Sequence, residues 1–164
     1  MSATPPQNPA QAPAQSAVFQ IEKIYVKDVS LEIPNAPQVF LQPLQPQLEV
    51  QIATGATSIS EAYYEVTVTV TVTARAGERT LFLAEAVQAG IFTVRNVAKE
   101  ELEPLLGIAC PNILFPYARE TISDLITRGG FPPVLLAPIA FDAMYLQRQQ
   151  QQQQGGAPKI EIAQ

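Results

Sequence analysis

The sequence predicts an α+β fold, in which a four-stranded antiparallel sheet carries a long helix on one face and is followed by a C-terminal helix. Alternating strand patterns fill the chain between residues 19 and 88, whereas helical spacing of apolar residues begins only near residue 97. Prolines and glycines separate the patterned segments. A run of strands followed by a run of helices is typical of this class.

The four strands are predicted from side-chain alternation. Phe19–Ile33 alternates beyond Val26, and Leu48–Ile52 alternates again after a proline-interrupted loop. Tyr64–Arg75 is the strongest pattern, with valines on one face (the Val face) and mainly threonines on the other (the Thr face). Thr80–Gln88 is predicted to return as the fourth strand, and the segment 54–60 is predicted to be a loop.

The length of the turn between the last two strands decides which side chains are buried. A three-residue turn ending at Gly77 pairs Val68 with Ala84, whereas a two-residue turn would place the Glu85 carboxylate in the core. The longer turn is therefore predicted. It places Leu83 and Glu85 on the Thr face and puts Phe82, Ala84 and Ala86 on the Val face. The apolar side chains expected to be exposed are Leu81, Leu83 and Val87.

Helical patterns fill the C-terminal half. Val97–Ile108 is predicted to be a short helix with acidic residues in its first turns, where the helix dipole favours them. A second helix is predicted from Pro111 to Arg128, because proline suits a first helical position and two glycines follow. An apolar, proline-rich loop, Phe131–Ile139, leads to a last helix over Phe141–Gln149, whose continuation into the glutamine tract is left open.

Both ends of the chain differ in composition from the middle. Residues 1–17 are mostly Pro, Gln and Ala, and residues 150–164 are rich in Gln, so both are predicted to be disordered tails around a domain of residues 18–149. The N-terminus lacks the basic and apolar regions of a signal peptide, and no apolar run is long enough to span a membrane. We therefore expect a cytoplasmic protein that does not insert into membranes.

Composition argues against several functions. The chain has a net charge of −5, no histidine and one cysteine, Cys110. Sparse, scattered basic residues do not favour nucleic-acid binding, and without histidine the usual Cys/His metal sites and the commonest general base are missing. We expect no catalytic residue, metal or cofactor, and we expect Cys110 to cap a helix or pack as a small apolar residue. Abundant apolar surface without catalytic groups favours a binding protein.

Several segments resemble the SecB family of bacterial export chaperones. They occur in family order across Phe19–Leu146, and CPNILFPYARE is the most specific; the others include FQIEKIYVKDVS, PNAPQVF, GIF, RGGFPP and LAPIAFDA. The two tails and Leu41–Ala62 match poorly. The resemblance implies a homotetramer, formed as a dimer of dimers, with helices between two eight-stranded sheets. It also implies that unfolded precursor proteins bind in apolar grooves and pass to the motor SecA without use of nucleotide.

The resemblance also implies functional residues. A SecA-binding surface falls on Asp28, Glu32, Leu83 and Glu85, for which an ordinary solvated sheet face is the alternative. Zinc, if involved, would belong to the partner. The candidates for a client groove are Phe40, Leu41, Phe115, Tyr117, Phe131, Leu135, Phe141 and Tyr145. Core packing is the alternative for each, above all for Phe115 and Tyr117. The candidates for an oligomer interface are Ala84, Ala86 and Gln88, which would otherwise pack beneath their own helix.

Three functions are compatible with these patterns. The first is an ATP-independent chaperone that holds precursors for export and delivers them to SecA. The second is a related chaperone dedicated to a toxin–antitoxin system, against which the four residues of the SecA surface argue. The third is a small enzyme, for which the sequence provides no convergent set of polar groups.

Overall fold

The computed structural model describes residues 15–155 and confirms the α+β architecture. Its four antiparallel strands have the order β1-β4-β3-β2. The strands are β1 (Val18–Glu32), β2 (Gln47–Ser60), β3 (Tyr63–Ala76) and β4 (Arg79–Arg95). A short 3-10 helix, Gln38–Phe40, interrupts the connection between β1 and β2. Consecutive strands β2, β3 and β4 are hairpin neighbours, whereas β1 crosses over to the outer side of β4.

β2 and β4 are longer than predicted. The segment 54–60, predicted to be a loop, continues β2, where Thr54 pairs with Val68 and Ser58 with Tyr64. Because β2 is an edge strand and mostly exposed, backbone pairing with β3 holds it without an apolar face, so the sequence carries only a weak alternation there. β4 extends to Arg95 because it pairs on both sides, with β1 and β3.

The predicted turn between β3 and β4 is wrong in length and register. Ala76 pairs with Arg79, so the turn has two residues, and Gly77 adopts a positive φ of 60° there. A bulge between Ala74 and Arg75 adds one residue, and Val68 consequently pairs with Gln88 rather than Ala84. The difference is four residues, an even number, so the side chains of β4 beyond the bulge keep their predicted faces.

Leu81 was expected to be exposed but is buried, with 3% of its surface accessible. It lies at the bulge, between Thr80, which pairs with Arg75, and Phe82, which pairs with Ala74. There it contacts the connection between β1 and β2 and shares a cavity wall with Val39. Leu83 and Val87, the other two residues expected to be exposed, are partly buried on the Thr face.

The two predicted helices near residue 109 form one continuous helical segment. α1 (Lys99–Pro104) passes into a π-helical turn, Leu105–Ala109, and then into α2 (Cys110–Arg128). Pro111 therefore does not begin a separate helix. A proline inside an α-helix lacks an N–H donor and clashes with the carbonyl four residues earlier. The wider turn before Pro111 accommodates both effects, and the Cys110 N–H bonds to the Leu105 carbonyl five residues back.

The core lies between the Val face and α2. Fully buried residues on the two sides include Val66, Val68, Val70 and Val72 from β3 and Cys110, Leu114, Ala118, Ile122 and Ile126 from α2. Gly90 brings α2 close to the sheet, since a Cβ at this position would lie 2.9 Å from a Leu114 methyl carbon. Burial raises the pKa of the Cys110 thiol to about 12, as expected for a cysteine that packs as an apolar residue.

The last helix, α3 (Phe141–Gln154), follows the predicted loop and ends five residues beyond the predicted boundary. Residues 150–154, assigned from sequence to a disordered tail, are helical because glutamine is a good helix former and the tract continues an established helix. The rest of both predicted tails lies outside the described residues, apart from residues 15–17 and 155. Between residues 15 and 155, the helices lack an apolar stretch as long as a bilayer requires.

Candidate functional site

The strand register brings the four predicted SecA-binding residues together on the Thr face. Glu32 of β1 pairs with Leu83 of β4, and Ser30 pairs with Glu85. Asp28 follows on the same face, opposite Val87. The Glu85 carboxylate accepts a hydrogen bond of 2.9 Å from the Thr71 hydroxyl on β3. We call Asp28, Glu32, Leu83 and Glu85 the acidic patch. It lies on the side of the sheet opposite α2.

Two bulges in β1 reorganise the polar side chains beside this patch. The register shifts between Ile21 and Lys23 and between Val26 and Asp28, so Glu22 and Lys27 are extra residues that also face the Thr side. The Thr93 hydroxyl donates a hydrogen bond of 2.6 Å to Glu22. The sequence hints at both bulges, because an adjacent polar pair interrupts the alternation at each.

Lys27 belongs to a cluster with Tyr25 and Glu65. The Lys27 ammonium pairs with one oxygen of the Glu65 carboxylate, and the Tyr25 hydroxyl donates to the other. Hydrogen bonds from Lys27 and then Tyr25 lower the pKa of Glu65, and the bond to Glu65 raises the pKa of Tyr25 to about 12. We call these three residues the Glu65 cluster, which the sequence patterns do not reveal because it joins β1 to β3 across β4.

The Glu65 cluster passes over a small residue. Ala89 of β4 lies between Tyr25 and Thr67, its partners on β1 and β3, and is fully buried although it belongs to the Thr face. A larger side chain at this position would obstruct the bridge across β4.

An aromatic cluster lies at the end of the sheet near the β3–β4 turn. The ring of Phe131 packs on Phe40, with centroids 5.3 Å apart, and on Phe82, at 4.7 Å. Beside it is a cavity of about 250 Å³ whose walls include Leu44, Pro46 and Pro132. Phe40 is 49% exposed and the adjacent Leu41 is 80% exposed. Two predicted groove residues, Phe40 and Phe131, therefore lie together in an open apolar cleft.

Phe115 and Phe141 were candidates for the groove but belong to the core. They are 5% and 1% exposed, and their rings meet edge to face at 5.7 Å. Phe115 lies on the side of α2 that faces the sheet, and Phe141 begins α3 beside it, so each ring covers the other. The alternative of core packing is thus favoured for Phe115, whereas Tyr117 is half exposed.

The remaining candidates lie in two further clefts. Leu135, 80% exposed, borders a cleft of about 410 Å³ between α2 and the loop that follows it, with Pro116 and Arg119 on the opposite wall. Tyr145 of α3 lies against the π-helical turn, where a Cβ on Gly107 would come within 2.6 Å of its ring. It borders a cleft of about 300 Å³. Within one chain, the groove candidates thus form separate clefts rather than one continuous surface.

The three candidates for an oligomer interface are buried within the single chain. Ala84 and Ala86 are fully covered on the Val face. Gln88 donates a hydrogen bond of 3.0 Å to the Tyr25 carbonyl and accepts one of 3.5 Å from the Thr121 hydroxyl of α2. The structure therefore favours the alternative that they pack beneath their own helix, and any contact with a second chain stays a prediction.

Another set of apolar residues is available to a second chain. β1 is an edge strand that α2 covers only in part, so four of its side chains on the Val face are between 41% and 46% exposed: Phe19, Ile21, Val26 and Val29. The sequence pattern alone predicts an apolar face for Phe19–Ile33, but it does not show how much of that face a helix buries. Within residues 15–155, no group of three or more His, Cys, Asp and Glu side chains is arranged to bind a metal ion.

Comparisons with known proteins identify the family of this chain. A family model described as "Preprotein translocase subunit SecB" matches residues 12–152. A protein of Chromobacterium violaceum named "Protein-export protein SecB" is 59% identical over 138 residues, which cover 84% of this chain and 92% of the relative. A relative of the same name in Dechloromonas aromatica is 56% identical over 144 residues, with 88% and 93% covered. Another, in Neisseria meningitidis serogroup B, is 55% identical over 139 residues, with 84% and 95% covered.

A solved structure has a similar fold. It is a SecB-like chaperone of Mycobacterium tuberculosis in complex with a peptide from an antitoxin. The TM-score is 0.56 and the identity 23%, and the alignment covers 74% of this chain and 90% of that one. At this identity the likeness bears on the fold alone.

Proposed function

This chain belongs to the SecB family of protein-export chaperones, a non-enzymatic family, and we propose that it holds unfolded precursor proteins and delivers them to the motor SecA without using ATP. The observation that supports delivery to SecA is the acidic patch. The pairing of β1 with β4 brings its four residues to one face of the sheet. Because the relatives share more than half of their residues with this chain, a shared role in export is the simplest inference.

The acidic patch suits a basic partner. Three carboxylates share one face of the sheet with Leu83, which pairs with Glu32, on the side opposite α2. Opposite charge steers association and fixes register, and a central apolar contact adds burial. A basic segment of SecA fits this chemistry, and its attraction should weaken as salt rises.

Client binding is assigned to the open apolar clefts. Phe40 and Phe131 present aromatic surface beside the cavity of about 250 Å³, and Leu135 and Tyr145 line the other two clefts. Apolar burial is not directional, so such surfaces bind many sequences. An unfolded precursor is long enough to occupy several clefts at once, and multivalent attachment then compensates for weak individual contacts.

The proposed assembly is a homotetramer, a dimer of dimers, acting in the cytoplasm. The exposed apolar row on β1, which includes Val26 and Val29, supports an interface at this edge of the sheet. Assembly would place clefts of several chains on one particle and would cover apolar surface that a monomer leaves in water.

Native mass spectrometry with an unfolded, slow-folding precursor tests the proposal. We expect a complex of four chains with about one precursor, and we expect added SecA to join or to capture that precursor. A monomer or dimer that ignores the precursor would contradict the chaperone proposal. A tetramer that binds the precursor but not SecA would contradict only the delivery step.

Delivery to SecA is tested by replacing the patch residues Glu32 and Glu85 with glutamine. We expect weaker SecA binding and unchanged precursor binding, because the substitutions remove charge without changing size. A protein dedicated to a toxin–antitoxin system is the second candidate, since the M. tuberculosis chaperone of similar fold was solved with an antitoxin peptide. The names of the relatives at 55–59% identity favour export.

A further inference from the structure

Lys27 lies beside the acidic patch. The bulge between Val26 and Asp28 turns the Lys27 side chain to the Thr face, where Asp28 follows it directly. A flexible ammonium group in this position is able to pair with the neighbouring carboxylates and to offset part of their charge. Among residues 15–155, however, the ion pairs are Lys27 with Glu65 and Arg128 with Asp124, and neither includes a patch residue.

Glu65 draws the ammonium group away from the patch. Along β4, the patch spans the partners of residues 83 to 87, because Glu32 pairs with Leu83 and Asp28 with Val87. Glu65 pairs with Ile91, which lies six residues from Glu85 and four residues beyond Val87 along β4. The Lys27 side chain therefore points along the sheet toward the Ile91 end.

The surroundings of Glu65 stabilise its ion pair with Lys27. Tyr25 occupies one carboxylate oxygen and Lys27 the other, and the Glu65 side chain is only 19% exposed, whereas that of Lys27 is 49% exposed. The bonds to Lys27 and Tyr25 lower the pKa of Glu65, so its carboxylate stays charged at neutral pH. A mostly buried carboxylate with a hydrogen bond to each oxygen competes favourably with exposed carboxylates for one ammonium group.

We propose that Glu65 is a positioning residue for the acidic patch: by binding Lys27, it leaves Asp28, Glu32 and Glu85 free to bind the basic segment of the partner. This inference rests on the proposed function of the patch in binding SecA. Because Glu65 lies on β3, this strand would contribute to the affinity for SecA although none of its residues belongs to the patch.

A double-mutant cycle with purified SecA tests the proposal. In Glu65→Gln, the amide keeps the size of the side chain but releases Lys27, and we expect the dissociation constant for SecA to rise about fivefold at low salt, the size typical of an exposed charge interaction. Lys27→Met alone should bind SecA at least as tightly as the unmodified chain. The double variant, Glu65→Gln with Lys27→Met, should recover the affinity lost in Glu65→Gln, because no ammonium group remains to pair with the patch.

The outcomes separate this inference from the proposed function. If Glu65→Gln leaves SecA affinity unchanged, or if Lys27→Met fails to restore it, Glu65 is not a positioning residue and the inference is overturned. The patch itself is tested in parallel with Glu85→Gln. Loss of affinity in Glu85→Gln without an effect of Glu65→Gln would overturn the inference alone, whereas no effect of Glu85→Gln would overturn the patch as the SecA surface. Thermal unfolding of each variant checks that the fold is retained.

Discussion

At the scale of single residues, the Glu65 cluster makes the stability of the fold depend on pH in the alkaline range. The bond to Glu65 raises the pKa of Tyr25 from 10.0 to about 12. A raised pKa means that the folded state favours the protonated phenol. The stabilisation is therefore complete below pH 10 and is lost as the pH rises from 10 to 12.

Tyr25→Phe removes this titration while keeping the ring. We expect the unmodified chain to be more stable than Tyr25→Phe at pH 8 and the difference to shrink between pH 10 and 12. Urea unfolding at a series of pH values measures the difference. Tyr117→Phe is the matched control, because the Tyr117 hydroxyl forms no such bond among the described side chains. A difference that stays constant up to pH 12 would contradict the assigned bond.

Substitution of Phe40 tests whether an aromatic residue of the open cleft binds unfolded precursors. Its ring packs on Phe131 but is 49% exposed, so Phe40→Ala should cost less stability than truncation of a fully buried ring. We expect the free energy of precursor binding to weaken by about 1–2 kcal/mol, as is typical when an aromatic side chain that contributes to an interface is truncated. Isothermal titration with an unfolded precursor measures this. Ile59→Ala is the control, because Ile59 is similarly exposed, at 54%, but lies on β2 outside the three clefts. Equal losses in both variants would indicate that affinity does not depend on this cleft.

The sequence predicted on which face of the sheet a side chain lies better than it predicted whether neighbouring elements bury that side chain. The Val/Thr alternation of β3 placed Glu85 and Leu83 on the Thr face even though the predicted register was four residues off, because only the parity of the shift decides the face. The same kind of pattern did not separate Phe115 and Phe141, which are buried, from Tyr117, which is exposed. Whether a ring at the border of a helix face is covered depends on where the next helix packs, and local spacing does not contain that information.

At the scale of elements, the contact between α3 and the π-helical turn depends on a glycine. A Cβ at Gly107 would come within 2.6 Å of the Tyr145 ring, and Arg148 of the same helix donates a hydrogen bond of 3.0 Å to Thr54 on β2. α3 is thus held at two points, on the helix that precedes it and on the sheet edge. Neither point was predicted, because the sequence suggested a helix break near Pro111 rather than a π-helical turn, and a loop rather than a strand at residues 54–60.

Gly107→Ala should loosen α3. The methyl group displaces the Tyr145 ring, so we expect faster hydrogen exchange at residues 141–154 and little change in β3 and β4. In a Tyr145→Ala background the same substitution should be tolerated or should stabilise by up to about 1 kcal/mol, the helix-propensity difference between alanine and glycine. Unchanged exchange in α3 after Gly107→Ala would show that the ring moves aside without releasing the helix.

At the scale of the whole molecule, a single chain leaves part of the apolar Val face of its sheet exposed. The Val face is packed beneath α2 at β3 and β4 but not at the outer strand β1, where Phe19, Ile21, Val26 and Val29 are exposed. β1 is also an edge strand with unpaired backbone groups on its outer side. An edge that is both apolar and unpaired favours association with a second copy, which the family resemblance implies but which no pattern within one strand specifies.

Val26→Lys combined with Val29→Lys should therefore reduce the assembly. Two ammonium groups on the exposed apolar row cost little in a monomer but would be buried in an interface, where unpaired charges are strongly unfavourable. We expect light scattering and native mass spectrometry to show smaller species at concentrations where the unmodified chain forms the proposed tetramer, with the circular dichroism of the fold retained.

Leu48→Lys combined with Val50→Lys is the matched control on the opposite edge. These residues lie on β2 and are 48% and 41% exposed, so the change in charge and burial is nearly the same. If assembly uses the β1 edge, the β2 variant should keep the mass of the unmodified chain. Loss of assembly only in the β2 variant would move the interface to that edge, and loss in both would mean that each edge contributes. Because each precursor is expected to span several chains, precursor affinity should fall together with the mass of the assembly, even though Val26 and Val29 lie outside the three clefts.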